Sequence, residues 1–152
     1  MNWQHIVDLL HGELASGIVV TSLVRLVLAA MLGGLIGLER ELKHQPAGVR
    51  TNMFICFGSA LFTLLSDVLA VEQLGDHTRI SARIIPGISF IGAGSILHTR
   101  GLTTGLTTAA TLFVVASVGM AMGGGLYLTA IFATGLAIVV LFALGRLELV
   151  LT

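Results

Sequence analysis

The 45 residues from Gly101 to Gly145 contain no Asp, Glu, Lys, Arg or His. Charged residues make up only 11% of the whole chain, against roughly 25% in soluble domains. The mean hydropathy is +0.99. A globule of 152 residues could not cover such a run with polar surface. The run therefore predicts a chain that folds within a lipid bilayer.

The predicted fold class is an all-α integral membrane protein with a single domain over residues 1–152. A membrane-spanning helix needs roughly 20 mostly apolar residues, and five segments meet or approach that length. The three glycines at 123–125 divide the uncharged run into the last two segments. The predicted spans are 18–38, 52–71, 84–97, 102–122 and 126–145.

The third segment is short and is interrupted by Pro86 and several glycines, so it could also be a re-entrant hairpin. Lys and Arg concentrate on the cytoplasmic side of membrane proteins. Five crossings with a periplasmic N-terminus place five basic residues inside and two outside, whereas a re-entrant third segment reverses the bias. We therefore predict five crossings and a cytoplasmic C-terminus. The inside residues are Arg40, Lys43, Arg50, Arg100 and Arg146, and the outside residues are Arg79 and Arg83.

Residues 1–17 are predicted to form a short interfacial helix, with Trp3 at the depth of the lipid headgroups. A frayed terminus is the alternative. We expect no cleavable signal peptide, because the first basic residue is Arg25, after Asp8 and Glu13.

Several function classes lack support in the sequence. A net charge of zero disfavours a nucleic-acid partner, which would require a basic face. The five histidines are scattered and no HExxH or paired-carboxylate spacing occurs, so we predict neither an enzyme nor a cofactor, while a metal site stays open. The single cysteine, Cys56, excludes an internal disulfide and is expected to pack in the interior.

Small residues recur at helical spacing and predict close contacts between helices. The fourth span carries such a stripe, the first has Gly33 and Gly37, and the third has Ser89 and Ala93. Structural packing would explain these residues without any chemical role. The stripe of the fourth span is Gly101, Gly105, Ala109, Leu112, Ala116, Gly119 and Gly123.

Charged residues inside the spans are expensive and therefore informative. Arg25 and Glu39 share one face of the first span, and Asp67 is expected at nearly the depth of Arg25. We predict an Arg25–Asp67 pair, with independent snorkelling of both to the outer interface as the alternative.

Two further sets of polar residues leave alternatives open. Glu39 and Glu41 lie at a helix C-terminus, where carboxylates need a cation. A salt-bridge network with the loop's Arg and Lys residues, or a site for a cation or a partner, could supply it. Thr104, Thr108 and Thr111 share a face of the fourth span, where their hydroxyls could bond back to the helix or line a polar crevice.

Four ordered motifs resemble the MgtC/SapB membrane protein family: GLIGLERE at 34–41, PAGVRT at 46–51, GISFIGAGSI at 87–96, and the run from Arg100 to Tyr127. Ser89 replaces the usual glycine, Phe113 replaces the usual Trp, and GLTT occurs twice. The resemblance implies functional positions at Arg25, Gly37, Glu39, Arg40, Gly48, Arg50, Thr51, Asp76, Arg79, Gly87, Gly92, Gly94, Gly105, Thr107 and Thr108.

The resemblance also implies a bacterial inner-membrane protein linked to growth under magnesium limitation, to acid or intracellular stress and, in pathogens, to survival in macrophages. Regulation of other membrane proteins is the expected function, and a small Mg²⁺ or H⁺ permease is the alternative. The expected partners are the lipid bilayer, other membrane proteins and a second copy in a dimer. Some relatives continue into a soluble cytoplasmic domain, which we do not expect in a chain that stops at Thr152.

Overall fold

A computed structural model describes residues 17–73, 81–99 and 102–151. Five α-helices account for most of these residues. In chain order the elements are α1 (Ile18–Leu42), α2 (Val49–Gln73), a 3₁₀ turn (Ser81–Arg83), α3 (Ile84–Ser95), β1 (Leu97–Thr99), β2 (Leu102–Thr104), α4 (Leu106–Gly123) and α5 (Tyr127–Leu151).

The all-α membrane fold is confirmed. Within the described residues, three helices are long and apolar enough to cross a bilayer, and α5 adds a shorter apolar stretch, Tyr127–Ala143. The helices α1, α2 and α5 extend beyond the predicted spans by several residues at one or both ends. The predicted interfacial helix at 1–17 lies outside the described residues except for Gly17.

The third helix is short, as predicted, and it is followed by a hairpin that the sequence did not predict. Pro86 lies in the first turn of α3, where the missing N–H costs nothing, so the helix continues to Ser95. The strands β1 and β2 then pair antiparallel, with Leu97 opposite Thr104. The predicted start of the fourth span at Leu102 is wrong because Leu102–Thr104 forms β2 and α4 begins at Leu106.

The chain closes this hairpin at Gly105. Gly105 has a φ of +89°, a conformation that only glycine adopts without strain, and a Cβ there would collide with the Ser95 carbonyl. The end of α3 and the start of α4 are therefore held in close contact.

Glycines bring α1, α2 and α4 into direct contact. A Cβ at Gly33 would lie 2.6 Å from the Cβ of Cys56, and a Cβ at Gly123 would lie 2.5 Å from the Ala60 carbonyl. Gly119 approaches α2 at the Cys56 carbonyl in the same way. The predicted packing role of these glycines and of buried Cys56 is confirmed. The buried core between the helices consists of Ala29, Ile36, Cys56, Ala60, Val115, Val118, Met122 and Ala130.

The helix α4 is the centre of the bundle, since it packs against the four other helices. It runs antiparallel to α3, with Gly92 opposite Ala109 and with Ile88 in a cluster with Leu112. The predicted contact stripe of the third span, Ser89 and Ala93, is wrong: both residues are exposed. The buried residues of α3 are Ile84, Ile88 and Gly92, one helical position away.

The described charged residues of α1 mark two ends of the bundle. Arg25 and Arg40 are fifteen residues apart on α1, which corresponds to about 22 Å along a helix. We call these levels the Arg25 end and the Arg40 end. The apolar core lies between them.

Candidate functional site

The last turn of α1 buries two charged residues side by side. Glu39 and Arg40 are each only 4% exposed. The C-terminus of a helix carries partial negative charge and disfavours a carboxylate. Lys43 compensates for it, because its Nζ lies 2.7 Å from Oε1 of Glu39. The predicted salt bridge at this loop is therefore formed by Glu39 and Lys43.

Arg40 connects α1 to the first turn of α4 rather than to a carboxylate. Its guanidinium donates a hydrogen bond to the Thr108 hydroxyl at 2.9 Å and a longer one to Gln45 at 3.5 Å. Among the described residues, Nε of Arg40 and Oε2 of Glu39 have no hydrogen-bond partner. Lys43 thus neutralises the charge of Glu39, while Arg40 and Glu39 each keep an atom that could still form a hydrogen bond.

Lys43 also connects α1 to α5. Its Nζ donates to the Leu141 carbonyl at 3.0 Å and lies 4.8 Å from the centroid of the Phe142 ring. Gly145 permits this approach, because a Cβ there would lie 2.6 Å from Nζ. The Lys43 ammonium group therefore joins Glu39 to the C-terminal half of α5.

Glu41 is stabilised by a helix terminus instead of a cation. Its Oε2 accepts a hydrogen bond from the Val49 N–H at 2.9 Å, at the start of α2, where partial positive charge favours a carboxylate. Gly48 leaves room for this contact, since a Cβ there would lie 2.8 Å from Oε2. Buried Asn52 donates to the Gly48 carbonyl at 2.9 Å and fixes the same turn.

Glu39, Arg40 and Lys43 line a crevice of about 720 Å³ between the ends of α1, α4 and α5. Its polar end is formed by α1 and by the loop that follows, and its walls are mainly apolar side chains of α4 and α5. The lining residues are Glu39, Arg40, Lys43, Gln45, Leu106, Thr107, Ala110, Thr111, Val114, Ala137, Val140, Leu141 and Gly145.

The threonines of α4 behave differently from one another. Thr111 donates back to the Thr107 carbonyl at 2.8 Å and also lines the crevice, so both predicted roles apply to it. Thr108 accepts from Arg40 and is buried. The prediction that Thr104 shares their helical face is wrong because Thr104 belongs to β2.

Arg25 at the opposite end contacts the turn between α4 and α5. Its Nε donates to the Tyr127 hydroxyl at 3.0 Å, and one terminal nitrogen donates to the Gly123 carbonyl at 2.9 Å. The predicted ion pair with Asp67 is wrong, since no such pair forms between these two described residues and Asp67 is exposed. The sequence signal that we missed is Tyr127, a hydroxyl-bearing residue two positions after the glycine turn that ends α4.

The remaining positions of the family motifs are distributed over the molecule. Gly37 lies against Val49 and Gly48, whereas Gly87 and Gly94 face open space. Arg50 and Thr51 are exposed at the start of α2. The structure therefore brings Glu39, Arg40 and Thr107 together at the crevice, with Thr108 buried and bonded to Arg40. It leaves Gly87, Gly94, Arg50 and Thr51 at the surface. Asp76 and Arg79 lie outside the described residues.

Comparisons with known proteins agree with these motifs. Residues 26–150 match the model of the MgtC family. The chain is 42% identical over 125 residues to a putative magnesium transporter, YhiD, of Escherichia coli K12, covering 78% of this chain and 58% of YhiD. It is 43% identical over 106 residues to protein MgtC of Brucella abortus, covering 70% and 44% of the two chains.

A third relative is an uncharacterized protein of Synechocystis, 41% identical over 128 residues, which are 84% of this chain and 53% of the relative. The chain thus spans about half the length of these curated relatives. No solved structure matches it.

Proposed function

The chain belongs to the MgtC family, and on that premise we propose that it is a bacterial inner-membrane protein that regulates other membrane proteins. The regulation serves adaptation to magnesium limitation, acid or intracellular stress. The protein acts without catalysing a reaction, through contacts with other membrane proteins and with a second copy of itself.

One observation supports regulation over transport: among the described residues, no charged side chain is buried in the core between the two charged ends. The apolar cluster there consists mainly of small and aliphatic side chains, and Gly119 and Gly123 of α4 touch the α2 backbone. The buried polar residues beside it, such as Ser59 and Thr134, are uncharged. A permease needs polar groups near the midplane, commonly at broken helices. Two hydroxyls that do lie within the helices, those of Thr63 and Thr134, bond back to their own backbone.

The test combines an ion-flux assay with a growth assay. Purified protein in liposomes should give no Mg²⁺ or H⁺ flux above that of empty liposomes. The same protein should restore growth in low magnesium to a bacterial strain from which the gene for this protein has been deleted. Flux that depends on the protein, at a rate sufficient to support growth, would contradict the proposal.

A small cation permease is the second candidate, and Glu39 is the observation that favours it. Its carboxylate is buried and lines the crevice, and its Oε2 has no hydrogen-bond partner among the described residues. The name of the E. coli relative, putative magnesium transporter, points the same way. Against it, Lys43 and Arg40 already place two cations next to this carboxylate.

Glu39→Gln distinguishes the two candidates. A permease that uses the carboxylate loses flux in this variant, whereas the exposed Asp67→Asn control retains it. A regulator shows no flux in any of the three proteins.

The proposed orientation places the Arg40 end in the cytoplasm. It predicts that thiols at Arg50→Cys and Arg146→Cys, in a Cys56→Ser background, react with an impermeant reagent only from the cytoplasmic side. Asp76→Cys should react only from the periplasmic side. Labelling of position 76 from the cytoplasm would overturn this topology.

A further inference from the structure

The crevice between α4 and α5 has one charged end and two apolar walls. Ala110 and Val114 belong to the α4 wall, and Ala137 and Val140 belong to the α5 wall. A volume of about 720 Å³ lies in the range of roughly 300–1,000 Å³ that is usual for small-molecule sites. Val114 and Val140 are exposed on the surface of membrane-spanning helices, so the crevice opens toward lipid.

The charged end of the crevice is positive. Arg40 and Lys43 outnumber Glu39 there, and Lys43 neutralises that carboxylate at 2.7 Å. The first turn of α4, with Leu106 and Thr107, lines the same end. Gly105 precedes it and supplies no side-chain cap, so the first N–H groups of an 18-residue helix add partial positive charge.

Lys43 retains a donor for a ligand. An ammonium group has three N–H donors, and the described contacts of Nζ occupy Glu39 and the Leu141 carbonyl. The side chain is 35% exposed, so a ligand can reach it. Next to it, Arg40 is a buried cation whose Nε has no partner among the described residues.

We propose that this crevice binds an anionic phospholipid. The phosphate lies at Lys43, Arg40 and the N-terminus of α4, and one acyl chain lies between α4 and α5. Basic pockets between membrane-spanning helices are suited to acidic headgroups. The net positive charge disfavours a cation as the ligand, and the apolar walls disfavour a free phosphate.

The test uses purified, delipidated full-length protein in mild detergent. Dioleoyl phosphatidylglycerol is the anionic probe, and dioleoyl phosphatidylcholine, which has the same chains, is the control. Binding is measured by competition with a fluorescent phosphatidylglycerol. We expect the anionic lipid to bind at least tenfold more tightly than phosphatidylcholine. Glycerol 3-phosphate, which has the phosphate without chains, should not compete at the same concentrations.

Variants that fill the crevice locate the binding. Ala110→Phe should weaken binding of phosphatidylglycerol at least tenfold, and Ala143→Phe, on an exposed position of α5 outside the crevice, should not change it. If Ala110→Phe does not fold, Ala137→Phe fills the same space from the other wall. Equal binding of the two lipids, competition by glycerol 3-phosphate, or unchanged binding in the folded crevice variants would each overturn the proposal.

Discussion

Two faces of α4 pack in opposite ways. Toward α2, Gly119 and Gly123 bring the two backbones together, and a Cβ at either position would collide with a carbonyl. Toward α5, Ala110 and Val114 face a crevice of about 720 Å³. Gly135 in the middle of α5 is exposed and faces open space.

The difference shows that small residues do not by themselves specify a close contact. In a membrane, helix association depends on van der Waals packing and polar contacts, because lipid is as apolar as the side chains. The α2 interface gains this packing along its length. The helix α5 packs on the core through Ala130 and Ala133 and is also bonded near its two ends, by Arg25 with Tyr127 and by Lys43 with the Leu141 carbonyl.

The largest effect should come from filling the close-packed face. Gly119→Leu forces α2 and α4 apart, and overpacking of this kind costs about 3 kcal/mol or more. Gly135→Leu should cost nothing and should stabilise α5 slightly through helix propensity. Thermal unfolding in detergent measures both variants, and equal losses would remove the distinction between the two faces.

A smaller loss is expected where α4 begins. Gly105→Leu places a side chain at a φ of +89° and against the Ser95 carbonyl, which should cost about 2 kcal/mol. Leu126→Ala, at an exposed position of the α4–α5 turn, is the control and should change stability little. If Gly105→Leu unfolds at the same temperature as the wild type, the closure of the hairpin at this glycine is wrong.

The contacts of Lys43 with Glu39 and with the Leu141 carbonyl should contribute less to stability, because Lys43 is partly exposed. Lys43→Met leaves the buried Glu39 carboxylate without its cation and should cost about 1–2 kcal/mol. Arg50→Met removes an exposed cation without a described partner and serves as the control. A loss in Lys43→Met that disappears in the double variant with Glu39→Gln would confirm the pair, since coupled residues are not additive.

The smallest effect concerns the hydroxyl at the Arg25 end. Tyr127→Phe removes one hydrogen bond to Arg25 and should cost about 1 kcal/mol. Arg25→Gln and Tyr127→Phe should couple in a double-mutant cycle, whereas Arg25→Gln and Asp67→Asn should be additive. Coupling to Asp67 and none to Tyr127 would reverse the assignment made from the structure.

The sequence predicted those features that follow from periodicity and hydropathy. The uncharged run from Gly101 to Gly145 was sufficient to predict membrane helices, and the spacing of Gly119 and Gly123 predicted a contact face. The hairpin at 97–104 was not predictable in this way, since a threonine-rich segment before a helix resembles the first turn of that helix. Its distinguishing feature is Gly105, which permits the left-handed conformation that separates strand from helix.

The candidate site was only half predicted. Glu39 and Lys43 are neighbours on one helix at i and i+4, a spacing at which opposite charges attract, so their pairing follows from local sequence. The contacts of Arg40 with Thr108 and of Arg25 with Tyr127 join residues 68 and 102 positions apart. The predicted pairing of Asp67 with Arg25 rested on similar depth alone. It was wrong because depth does not reveal which helices are adjacent.

The long contacts of α1 have a consequence for the order in which the protein is made. The hydrogen-bond acceptors of Arg25 and Lys43 are synthesised about 100 residues later in the chain. They are Gly123 and Tyr127 for Arg25, and Leu141 for Lys43. At a synthesis rate of about 5–20 residues per second, the first helix therefore spends several seconds in the bilayer with these cationic groups lacking their final partners. Arrival of α5 supplies the missing acceptors at both levels of the bundle. Completion of the last helix thus relieves a cost imposed by the first.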